Sequence, residues 1–99
     1  MKININSVHF KADKKLKVFI QEKIDKLSNI YEGVIGTEVT LKLSNSVEPE
    51  NKIAEIRVKM RGLDLYAKKQ SKSFEEATDT AVEALRKQLT KRKEKIRGL

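Results

Sequence analysis

Between Glu38 and Ala67 the chain alternates apolar and polar residues, and this alternation restricts the fold more than any other feature. In Glu38–Leu43 the apolar side carries Val39, Leu41 and Leu43. In Lys52–Met60 it carries Ala54, Ile56, Val58 and Met60, with Glu55, Arg57 and Lys59 opposite. Leu63–Ala67 repeats the pattern through Leu63, Leu65 and Ala67. A period of two describes a strand with one face buried and one in water. Lys2–Val8 is a fourth such segment, setting Ile3 and Ile5 against Lys2, Asn4 and Asn6. Four strands with one apolar face each need a cover on that face alone.

Two segments supply the cover. Asp13 stands where a helix N-cap belongs, and Leu16, Phe19, Ile20, Ile24, Leu27 and Tyr31 follow at helical spacing. The first helix is expected over Lys14–Ile30, with Gly33 able to stop it. Ser73-Phe74-Glu75-Glu76 reads as a capping box that opens the second helix. That helix is expected to bury Phe74, Ala77, Ala81, Leu85 and Leu89. Its carboxylates Glu75, Glu76, Asp79 and Glu83 precede its first cation, an order that complements the helix dipole, and Glu83 and Lys87 form an i,i+4 pair.

Ser44–Asn51 is polar, holds the only proline and reads as a hairpin loop; Arg61-Gly62 reads as a tight turn. The order is therefore β-α-β-β-β-α, in one domain covering residues 1–99. The strand–helix–strand unit makes its two strands parallel, and the remaining strands form an antiparallel meander. The predicted fold class is α+β, a two-layer sandwich of a four-stranded mixed sheet with both helices on one face.

Charge points to a partner. Arg86–Arg97 reads RKQLTKRKEKIR, with seven cations and one anion in twelve residues, a net of +6 against +8 for the whole chain. Leu85, Leu89 and Ile96 give this run one apolar edge, so a helix anchored there holds its cations outward on a rigid rod. Dipole complementation needs only a few lysines. Seven mutually repelling cations suit a polyanion, most simply RNA. The first helix adds Lys14, Lys15, Lys17, Lys23 and Lys26 against Asp13, Glu22 and Asp25, a surplus of +2 that alone describes a solvated face. Beside the second helix these lysines become the other wall of one RNA-binding surface.

Motifs for chemistry are missing. No GxxxxGK[ST] or GxGxxG occurs, there is no cysteine, and the single histidine, His9, has no recognisable partners for a triad or zinc site. The stripe Glu75, Asp79, Glu83 lacks the histidine a carboxylate metal centre needs and reads as solvated. Two tyrosines and three phenylalanines are read here as core residues, too few for a base-stacking sheet, so recognition should be of RNA backbone and shape. The expectations are no catalytic residue, no metal, no cofactor and no small-molecule substrate. With no apolar run of eighteen residues and no signal-like N-terminus, a soluble cytoplasmic protein without a membrane partner is expected, monomeric when free.

The opening MKININ, the helix KLKVFIQEKIDKLSNIY, the ending ALRKQLTKRKEKIR and the element order resemble the ribosome hibernation promoting factors, a family that includes the ribosome-associated inhibitor protein Y. The resemblance spans essentially the whole chain, and RKQLTKRKEK with a lysine-studded first helix is its specific part. It implies binding to the small ribosomal subunit, alone or in the whole ribosome, in the channel for messenger RNA and the A- and P-site transfer RNAs. Translation would then be blocked by occupancy, in starvation or stationary phase. The RNA-binding residues it implies are Lys17, Lys23 and Lys26 on the first helix and Arg86, Lys87, Lys91, Arg92, Lys93, Lys95 and Arg97 on the second. Asp79 matches an aspartate common in the family. Ser73-Phe74-Glu75 replaces the Asp-Met-Tyr of many members, and Arg92 replaces a frequent histidine. Ending at Leu99, the chain resembles the short form, without the C-terminal domain of long members. Two alternatives stay open: a general double-stranded RNA-binding module, and a protein-interaction adaptor using the uncovered sheet face.

Overall fold

A computed structural model describes residues 2–29, 33–45 and 49–96, with 92–96 described as helical backbone only. The elements run β1 (Lys2–Ser7), α1 (Lys14–Ser28), β2 (Val34–Leu43), β3 (Lys52–Met60), β4 (Leu63–Ser71) and α2 (Phe74–Ile96). The sheet order is β1-β2-β3-β4, with β1 parallel to β2 and the other neighbours antiparallel. This is the predicted α+β sandwich.

Local chemistry sets most boundaries. Asp13 caps α1: its carboxylate accepts from the Leu16 amide at 2.8 Å and its carbonyl from the Lys17 amide at 3.1 Å. Asn29, not Gly33, closes the helix, and Tyr31, placed by periodicity on the same stripe, lies outside the described residues. Ser73 serves α2 in the same way, through its hydroxyl to the Glu76 amide at 3.1 Å and its carbonyl to Ala77 at 3.0 Å. The two-residue turn between β3 and β4 needs one left-handed residue, and Gly62 at φ 82° supplies it. At the end of β1, Val8 still donates to the Leu41 carbonyl at 2.9 Å before His9, at φ 64°, turns the chain away. Histidine is among the residues that tolerate this conformation.

Two strands, β2 and β4, run longer than the alternation predicted. β2 begins at Val34 rather than Glu38, with a bulge between Val34 and Gly36 that brings its backbone beside Lys2. A Cβ at Gly36 would sit 3.2 Å from the Lys2 carbonyl, so glycine permits the close approach of β1. β4 continues from Ala67 to Ser71, because Lys68–Ser71 pairs with Lys52–Glu55 although its own sequence is polar.

The core lies between helices and sheet. Ile20 and Ile24 of α1, Val39 and Leu41 of β2, Ile56 and Val58 of β3, and Leu85 and Leu89 of α2 are fully buried. α2 packs across β3 and β4, and α1 lies beside it toward β1. Phe10 and Phe74 stack at 4.8 Å with planes 10° apart, joining the β1–α1 connection to the first turn of α2. Two residues expected inside are not: Leu43 and Leu63 are exposed, because they sit at strand ends beyond the cover of the helices.

The uncovered sheet face is a lattice of opposed charges. Glu38 binds Lys59 at 2.8 Å, and Glu55 binds Lys42 at 2.8 Å with Lys68 at 3.7 Å. The hydrogen bond from Lys42 holds the Glu55 carboxyl below its ordinary value of 4.5, and Lys59 does the same for Glu38.

Two predictions follow from this packing. Ile56→Ala should cost about 2–5 kcal/mol of unfolding free energy in urea, and Leu63→Ala well under half of that. Because the folded-state pKa of Glu55 is lowered, its stabilisation is complete above pH 4.5 and lost as the pH falls through the folded value. Glu55→Gln should therefore lower the thermal midpoint at pH 7, with the difference shrinking as the pH is taken below 4.5; a deficit that does not change with pH would disprove the ion-pair assignment.

Candidate nucleic-acid interface

α2 is 23 residues long, about 34 Å at the usual helical rise. Burial of Ala77, Ala81, Leu85 and Leu89 fixes its rotation against the sheet. Off that edge, Asp79 and Arg86 face the α1 side, Gln88 reaches the Tyr66 carbonyl on β4, and Lys87 and Lys91 face open water. The first half of α2 carries its acids, and from Arg86 onward Glu94 is the only carboxylate up to Ile96.

The ten basic residues expected to bind RNA fall into three sets. Lys23 and Lys26 of α1 and Arg86 of α2 line a groove between the helices, with a volume of about 160 Å³ and Leu27, Val82, Asp79 and Glu83 for the rest of its wall. This groove is not a uniformly positive cleft. Lys23 bridges the two helices to Asp79 at 3.0 Å, and its ammonium lies 5.4 Å above the Phe19 ring. Arg86 donates from Nε and Nη2 to the two oxygens of Glu83, at 3.0 and 2.5 Å. That bidentate contact holds the Glu83 carboxyl below its ordinary range and raises Arg86 further. It also adds to the expected pairing: Glu83 holds Arg86 at i+3 through both oxygens, since a guanidinium fork matches both and an ammonium matches one, while the charge of Lys87 at i+4 lowers the same carboxyl further.

The second set is exposed and makes no ion pair among the described residues: Lys17 on α1, and Lys87 and Lys91 on α2. Lys87 and Lys91 share a shallow depression with Arg86, Gln88 and Thr90. The third set comprises Arg92, Lys93 and Lys95, which the helix carries as a continuation of the same rod; their side chains, and Arg97 altogether, lie outside the described residues.

Two further residues are placed differently from expectation. Asp79 keeps the expected exposure but lies on the groove side of α2, where its carboxylate bridges to Lys23. Tyr66, read as a core residue, is 47% exposed on the open sheet face. The alternation already held that signal, since Leu65 and Ala67 on either side of it point inward. No helix among the described residues is long and apolar enough to cross a membrane. No group of metal-ligating side chains is assembled among them either.

Exposed cations at Lys87 and Lys91, on a helix held against an α+β sandwich, give the domain a surface suited to a polyanion. Comparison with known proteins gives its family. The family model described as "Sigma 54 modulation protein / S30EA ribosomal protein" matches residues 3–97, and the chain belongs to that family of ribosome-associated proteins. It is 25% identical over 97 residues to a ribosome hibernation promoting factor of Klebsiella oxytoca, covering 98% of both chains. Two solved structures share the fold. The protein Y N-terminal domain of Thermus thermophilus has a TM-score of 0.79 at 21% identity, over 92% of this chain and 98% of that one. A ribosomal subunit interface protein of Coxiella burnetii has 0.78 at 20%, over 94% and 98%.

The groove chemistry makes a specific forecast. Lys23 is neutralised by Asp79, so Lys23→Ala leaves that carboxylate unpaired between the helices and should weaken RNA binding. Asp79→Asn frees Lys23 and removes a negative charge, and should steepen the slope of log affinity against log salt by about 0.7–0.9. Filter binding of ribosomal RNA across a salt series reads both.

Proposed function

We propose that this protein silences ribosomes by occupancy. Its paired helices dock in the small-subunit channel that carries messenger RNA and the A- and P-site transfer RNAs, and its presence there keeps both out. The observation that carries this reading is the basic second half of α2: Lys87 and Lys91 stand exposed and make no ion pair among the described residues, at the head of a helix that goes on to carry Arg92, Lys93 and Lys95. Membership of a ribosome-associated family supplies the partner, and the cytoplasm as the compartment. Nothing in the mechanism requires a reaction. A rigid body that fills a site need not transform anything in it, which agrees with the absence of a recognisable nucleophile–base pair in the sequence. We take the free protein to be a monomer.

Binding of this kind is governed by counterion release. With about five phosphate contacts, each contributing 0.7–0.9 to the slope, affinity should fall roughly a hundred- to several hundred-fold between 50 and 200 mM salt. Co-sedimentation with separated subunits at those two salt concentrations tests the reading. Pelleting with the small subunit at low salt and release at high salt is the expected result. The double variant Lys87→Glu, Lys91→Glu should stay in the supernatant with an unchanged circular dichroism spectrum and melting curve, because both side chains lie in water. Salt-insensitive pelleting would overturn the mechanism. Preference for a plain RNA duplex over intact ribosomes would assign the protein instead to general double-stranded RNA binding.

A further inference from the structure

The helical side leaves the opposite surface, the open face of the sheet, without an assigned role. Two of its acids are held in ion pairs, Glu38 by Lys59 and Glu55 by Lys42, each at 2.8 Å, and a third, Asp64, is exposed across the ladder from Lys59. Arg57 makes no ion pair among the described residues, although it is exposed at the centre of the face. Lys68 reaches Glu55 only at 3.7 Å, outside the closer Lys42 contact, so it can leave at little cost. Tyr66 stands directly across the β3–β4 ladder from Arg57 and two residues before Lys68 on the same face. Directly opposed side chains on antiparallel strands have Cβ atoms about 5 Å apart, so the two side chains rise from adjoining points of the face.

An exposed aromatic ring beside surplus cations on a flat sheet is the combination that holds single-stranded nucleic acid: the ring stacks on a base and the cations take the adjoining phosphates. We propose that the open sheet face is a second RNA contact, in which an unpaired base stacks on Tyr66 and its flanking phosphates are held by Arg57 and Lys68. Charge complementarity favours RNA over an acidic protein segment. On β2–β4 the cations of this face, Lys42, Arg57, Lys59 and Lys68, outnumber its acids, Glu38, Glu55 and Asp64, and a tyrosine ring in ionic rather than apolar surroundings offers a protein partner little. The inference rests on the occupancy reading, since a body lodged within an RNA channel meets nucleic acid on both sides. It adds single-stranded RNA to the substrate class, through a site on the side of the sheet away from the helices.

Fluorescence anisotropy with a labelled oligouridylate, and with an RNA duplex of equal phosphate count, tests it. Tyr66→Ala should weaken oligouridylate binding by about five- to a hundredfold and leave duplex binding unchanged, while Tyr66→Phe keeps the stack and the affinity. Arg57→Gln should weaken oligouridylate binding and flatten its salt dependence. These residues are exposed, so all three variants should melt like the parent chain. Wild-type affinity in Tyr66→Ala would overturn the proposal, as would a Tyr66→Phe variant as weak as Tyr66→Ala. So would a Tyr66→Ala variant that loses ribosome pelleting but not oligouridylate binding, which would make the occupant a protein. The two readings fail separately. If Lys87→Glu, Lys91→Glu abolishes pelleting while Tyr66→Ala binds oligouridylate normally, occupancy stands and the sheet-face contact falls. If neither set of variants affects pelleting, both fall.

Discussion

The burial of Leu85 and Leu89 against β3 and β4 is the contact on which the rest depends. A helix carrying cations at this density resists packing, because its charges repel one another and each prefers water. Two leucines taken wholly out of solvent contribute about 1.5–3 kcal/mol apiece, enough to hold the rod against that repulsion. They also fix its rotation. With Ala77, Ala81, Leu85 and Leu89 turned to the sheet, Lys87 and Lys91 must face water, and the helical backbone projects the following cations from the same support. The apolar stripe therefore decides where the charge points, as well as whether the domain folds.

Neutralisation sharpens that direction. The chain has a surplus of +8, but the structure does not spread it evenly. Asp79 quenches Lys23 between the helices, Glu83 quenches Arg86 one turn further along, and Glu38 and Glu55 quench three lysines of the open face. The field that survives is concentrated toward the C-terminal half of α2, with a smaller contribution from Arg57 on the open face. A cleft lined with cations and with no anions would attract any polyanion. A groove whose carboxylates are already engaged holds its own geometry and leaves the outer cations to choose the partner.

How much of this could be read from the sequence follows from how local each cause is. Alternation, helical spacing and the two N-caps act within a few residues, so the elements, their order and the caps at Asp13 and Ser73 were legible. The residues that departed answered to distant partners. Lys68–Ser71 has no strand pattern of its own and is a strand because Lys52–Glu55 offers it a ladder. Val34–Thr37 joins β2 because Gly36 lets β1 approach. Leu43 and Leu63 are apolar and in register, yet exposed, because helix cover ends before the strands do. For the interface, the residue types were legible and the pairing only in part. Spacing along α2 offers Glu83 both Arg86 and Lys87, and only side-chain geometry gives Arg86 the bidentate contact. Tyr66 is the opposite case: the alternation placed it outside, and a general association of aromatic residues with cores obscured it.

A mechanism by occupancy places unusual weight on rigidity. An enzyme can tolerate motion between turnovers, whereas a plug that deforms lets its competitors in. The features that stiffen this domain are those that close its helical layer: the Lys23–Asp79 bridge across the groove, the Phe10–Phe74 stack at the start of α2, and the Gln88 side chain donating to the Tyr66 carbonyl on edge strand β4 at 3.3 Å. The last of these occupies a backbone acceptor that an incoming strand would otherwise use, which opposes edge-to-edge association with a second copy. It also ties the rotation of α2, and with it the cationic rod, to the strand that carries Tyr66. The two proposed contacts are thus linked through one hydrogen bond and the shared packing of α2 on β4, so RNA held at one surface meets a scaffold that presents the other in fixed orientation.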